Sequence, residues 1–81
     1  MVTMISANVQ GLRNRLNRHG FFNYLRNLNV DVALLQESYI TDDCSVKWKQ
    51  EWQGDLFYVP GTNRSKGDVI LVGKRLKDCK I

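Results

Sequence analysis

Four apolar residues, Val32-Ala33-Leu34-Leu35, run together and stop at Gln36-Glu37. A run this short, bounded by polar residues, suits a strand covered on both faces better than a helix. Its acidic tip is informative. Open α/β sheets bind their ligands outside the carboxyl ends of the strands, so Glu37 marks the edge where chemistry is expected.

The preceding chain supplies what such a strand needs. Val2 to Val9 alternates, with Val2, Met4 and Ser6 on one side and Ile5, Ala7 and Val9 on the other. Leu12 to Asn29 reads as a helix in which Phe21, Leu25 and Leu28 form one apolar stripe, widened by Phe22 and Tyr24. Arg13, Arg15, Arg18 and Arg26 read as its solvated groups, and Asn27 and Asn29 mark the exit. Strand, helix and strand form a βαβ unit with parallel strands. Both carboxyl ends then share one edge, and Asn8 and Gln10 become potential neighbours of Glu37.

Thr41 or Asp42 can cap a short helix through Trp52, with Trp48 and Trp52 one turn apart in the core. Asp55 to Val59 reads as a third strand, with Leu56 and Tyr58 opposing Phe57 and Val59. A turn region rich in Gly, Asn and Ser leads to a fourth strand, Asp68 to Val72, antiparallel to the third because the connection is short. Lys74 to Ile81 carries little pattern.

Length and composition bound the rest. At 81 residues the chain is one domain at most, and it buries only roughly 60% of its unfolded surface. A formal charge of +4 favours an anionic partner such as nucleic acid. Cys44 and Cys79 lack metal-ligand spacing and read as reduced thiols of an intracellular protein. No stretch reaches the ~20 apolar residues of a membrane span, and no signal-peptide pattern is present.

Four pieces stand in a recognisable order: Ile5-Ser6-Ala7-Asn8-Val9-Gln10-Gly11-Leu12-Arg13-Asn14, Leu34-Leu35-Gln36-Glu37, Trp48 with Glu51-Trp52-Gln53-Gly54, and Gly61-Thr62-Asn63 followed by Ser65-Lys66-Gly67. Together they resemble the start of the endonuclease/exonuclease/phosphatase (DNase-I-like) superfamily, most of all the endonuclease domains of LINE-type non-LTR retrotransposons. The resemblance implies an α/β fold, the N-terminal part of a four-layer α/β/β/α sandwich. It also implies phosphodiester hydrolysis with Mg²⁺ or Mn²⁺, DNA as partner, a reverse transcriptase downstream, and a nuclear site of action.

Carried over by position, Glu37 matches the metal-binding glutamate and Asn8 an asparagine of the metal and phosphate site. A hard cation that prefers oxygen ligands suits both. Arg13 and Arg18 fall where related nucleases contact the DNA backbone, a role suited to planar guanidinium groups. Gln10 stands where relatives often have Asp or Asn, and Tyr39 where they often have His. On the residues alone, Glu37 reads first as a strand-end acid paired with an arginine, and a turn residue is the alternative reading of Asn8. His19 has no assigned role.

The family's later motifs do not occur in these residues. They are a tyrosine, an Asp-x-Asn pair and the Asp-His pair that activates water. Residues 1–81 are therefore expected to be the N-terminal part of one domain and to be inactive alone. Two alternatives stay open: an inositol-phosphate or lipid phosphodiesterase of the same superfamily, and a non-catalytic nucleic-acid-binding remnant.

Overall fold

The computed structural model describes residues 2–61 and 66–74. In chain order these form β1 (Met4–Asn8), α1 (Arg15–Asn27), β2 (Val32–Gln36), α2 (Asp42–Trp52), β3 (Asp55–Val59) and β4 (Asp68–Val72). The fold is mixed α/β, as expected. Thr62 to Ser65 of the Gly-Thr-Asn segment, and Cys79, lie outside the described residues.

The sheet has the order β1-β2-β4-β3. β1 and β2 are parallel, pairing Asn8 with Gln36, so both carboxyl ends do share one edge. β4 runs antiparallel to both β2 and β3, with Leu35 opposite Val69. The expected β3–β4 hairpin is present. Period-2 reasoning did not show that β4 would insert between β3 and the central β2.

Alternation decides which sheet face is covered. Ile5, Ala7, Ala33, Leu35, Leu56, Val69 and Leu71 pack with Phe22, Leu25, Trp48 and Trp52 of the two helices in one core. The Phe22 and Trp52 rings meet edge to face at 5.5 Å, a favoured aromatic geometry. The opposite face carries Met4, Phe57, Val59 and Ile70, all exposed, beside half-buried Val32 and Leu34. This corrects one expectation: β2 is covered on one face, and its apolar run is continuous because the second face is apolar without a helix against it.

α1 also differs in detail. It starts at Arg15 because Asn14 caps it, its side chain accepting the Asn17 N–H at 3.0 Å. Leu12 precedes the helix and anchors the loop in the core, with its N–H bonded to the Ser38 carbonyl at 3.0 Å. The buried stripe is Arg18, Phe22 and Leu25, whereas Leu28 and Tyr24 are exposed and Phe21 is half-buried. The spacing is helical and Leu25 belongs to both stripes, but the buried face turns toward Arg18 and Phe22 and away from Phe21 and Leu28.

α2 begins after Thr41, whose backbone N–H is accepted by the Cys44 sulfur at 3.2 Å, the place a capping-box acceptor fills. Cys44 has a free thiol. Among the described residues, no helix is long and apolar enough to cross a membrane.

Candidate active site

The edge formed by the carboxyl ends of β1 and β2 and the start of β4 gathers unusual backbone. Gln10 (φ 49), Gly11 (φ 101), Glu37 (φ 57), Tyr39 (φ 62) and Gly67 (φ 81) all lie in the left-handed region. Non-glycine residues adopt it sparingly, and such strain persists only where surrounding bonds hold it. Here they do. The Gly11 N–H is accepted by the Glu37 carbonyl at 2.6 Å, and the Val9 N–H by that of Gln36 at 3.0 Å. Tyr39 N–H donates to the Lys66 carbonyl at 2.7 Å, and Ser38 donates to the Gly67 carbonyl through its N–H (2.9 Å) and its hydroxyl (3.1 Å). The strand tips are thus stitched to the chain entering β4.

Within this frame the structure brings Asn8 and Glu37 together, the Asn8 amide lying beside the Glu37 carboxylate. The Asn8 side-chain oxygen also accepts the Gln10 N–H at 3.2 Å, which orients the amide. Glu37 has a further partner, the Lys66 ammonium, at 2.9 Å from Oε1. The Lys66 hydrogen bond, then that of Asn8, hold the carboxyl below its ordinary value. Glu37 in turn raises the lysine, with a smaller contribution from Tyr39. Glu37 is thus a strand-end acid paired with a cation, a lysine rather than an arginine, and a charged carboxylate beside the Asn8 amide.

Those donors fit a hard divalent cation of the Mg²⁺ type, which takes one or two carboxylates and fills its remaining positions with water and phosphate oxygens. Among the described residues there is no group of three or more His, Cys, Asp or Glu side chains able to hold a metal. Gln10 reaches the edge through its backbone, and its side chain is exposed.

Arg13 and Arg18, paired by the sequence reading, part company. Arg13 is exposed. It lines a cleft of about 270 Å³ with Arg15, Lys47, Arg18 and Trp48, two residues from the Gly11 link to Glu37. Arg18 corrects its expected solvated position, being only 3% exposed. Its Nε and Nη2 donate to the two Glu51 oxygens at 2.9 and 3.0 Å, and Nη1 to the carbonyls of Leu12 and Arg13. Its guanidinium also lies 5.1 Å from the Trp48 ring centroid. An arginine so committed to protein acceptors ties α1 to α2. His19 joins the same carboxylate, bonding Glu51 Oε2.

Sequence reasoning missed Lys66 and Glu51. Glu51 stands at i+3 from Trp48 on the buried side of α2, which is a legible signal. Lys66 had none, because only the placement of β4 beside β2 brings it to Glu37. A second cavity of about 250 Å³, lined by Arg26, Val30, Trp52 and Gly73, opens at the other end of the sheet and shares nothing with this edge.

These observations define a class: a small α/β sheet with a carboxylate–amide pair at its carboxyl edge and a basic cleft next to it. No family model matches the sequence. The chain is similar to the "Transposon TX1 uncharacterized 149 kDa protein" of Xenopus laevis, at 30% identity over 70 residues. The match covers 86% of this chain and 5% of that much longer protein. A transposon-encoded relative is thus the particular kinship that the sequence carries.

Proposed function

We propose that the chain is the N-terminal portion of a Mg²⁺-dependent DNA-nicking endonuclease domain of a non-LTR retrotransposon. The observation that carries this is the Asn8–Glu37 pair, held by strained backbone at the carboxyl edge of parallel strands. The transposon-encoded relative favours a nuclease over a lipid or inositol-phosphate phosphodiesterase. The open apolar face, with Phe57 58% and Met4 63% exposed, is what the first half of a four-layer sandwich would present to the second.

On this reading Glu37 supplies the charged oxygen of the cation site and Asn8 a neutral one, orienting the cation or the phosphate. A divalent cation held there by Glu37 and Asn8 would supply polarisation of the scissile phosphoryl group and charge to offset that gained in the transition state. Arg13, with Arg15 and Lys47 around the same cleft, steadies neighbouring backbone phosphates. Such contacts add affinity and salt dependence without choosing sequence. Arg18 holds the helices beneath them. The groups that activate the attacking water come from another segment of the domain.

Plasmid nicking in Mg²⁺ tests this. The 81 residues alone leave supercoiled DNA intact. The chain extended by the coding sequence downstream of Ile81 nicks it, and Glu37→Ala abolishes the nicking. A folded extended chain that fails to nick would overturn the reading.

A further inference from the structure

The ammonium of Lys66 lies 2.9 Å from Oε1 of Glu37, against one of the two carboxylate oxygens a cation would use. Two features make this more than a chance surface pair. First, the lysine's backbone is fixed in reach of the carboxylate: its carbonyl accepts the Tyr39 N–H at 2.7 Å, and the next residue's carbonyl is held twice by Ser38. Second, its side chain is 59% exposed against 27% for Glu37, so the ammonium can swing into solvent while the carboxylate stays in place.

We propose that Lys66 is a built-in competitor for the divalent cation at Glu37. Its ammonium holds and orients the carboxylate in the cation-free protein and is displaced when a cation binds. The inference rests on the reading of Glu37 as a cation ligand. The ammonium sits on Oε1 and repels a divalent cation drawn to the same carboxylate, which favours loss of the ion pair when the cation binds. Lys66 therefore weakens cation affinity while helping Asn8 to hold the carboxylate in place.

Mn²⁺ titration of the 81-residue chain, followed by electron paramagnetic resonance of the free ion, tests this. Neutralising the competitor in Lys66→Met, or in Lys66→Gln as a second neutral variant, tightens Mn²⁺ binding roughly fivefold, the upper worth of an exposed ion pair. Lys66→Arg stays near the native affinity, and Glu37→Gln removes binding. In the native chain, added Mg²⁺ shifts the side-chain NMR resonances of Lys66. Equal or weaker Mn²⁺ binding by both neutral variants, or Lys66 resonances unmoved at saturating Mg²⁺, would sink the competitor role and leave Glu37 as a ligand. Absence of binding in the native chain and both neutral variants would overturn the competitor and the Glu37 site together.

Discussion

Glu37 occupies a conformation that a residue with a side chain adopts at a cost, which glycine would not incur. Glu37→Gly should therefore melt at a higher temperature than the native chain while losing cation binding. Calorimetry paired with Mn²⁺ titration reads both effects. Gly11 has the reverse dependence. Its φ of 101 excludes a side chain, and a Cβ there would come within 3.0 Å of the Tyr39 ring. Gly11→Ala should destabilise by about 1–3 kcal/mol in urea unfolding. It should also weaken cation binding, because the Gly11 N–H is bonded to the Glu37 carbonyl.

The two helices are joined by a charge cluster that neither helix explains alone. Burial pushes the Glu51 carboxyl up, but hydrogen bonds from Arg18 and His19 outweigh it and hold it below its ordinary value of 4.5. A depressed carboxylate contributes stability that is present above its unfolded value and is lost as pH falls through its folded value. The melting temperature should therefore fall as acid is added below about pH 4.5. Glu51→Gln should start lower and lose less over the same range. Glu51→Ala leaves the buried Arg18 guanidinium without its carboxylate. It should cost about 3 kcal/mol, measured by urea unfolding at neutral pH.

The molecule as a whole is one-sided: two helices close one face of the sheet, and the other face shows Met4, Phe57, Val59 and Ile70 to solvent. Phe57 separates the half-sandwich reading from that of a finished two-layer protein. In the 81-residue chain Phe57→Ala should change stability little, because the ring has little packing to lose. In the chain extended downstream of Ile81 it should cost about 3–5 kcal/mol, because the ring would then lie between layers. Equal small effects in both chains, by chemical denaturation, would mean that no second layer covers this face.

Sequence alone determined what repeats within an element or sits next to it. Alternation in β1 and β3 sorted the side chains into the two faces the sheet has, Trp48 and Trp52 are core, and the βαβ order brought Asn8 to Glu37. These follow from periods of 2 and 3.6 and from the parallel hand of a crossover, all properties of local backbone. Tertiary structure decided what depends on a distant partner. Arg18 is buried because Glu51, 33 positions away, and Trp48 meet it from another helix. A charged side chain has no period that reveals such a partner. Lys66 reaches Glu37 because β4 pairs with β2 as well as β3, and strand order depends on how two helices and a sheet share one core. The short run that ends in Glu37 thus marked the sheet edge that carries the carboxylate, and the fold chose the lysine paired with it.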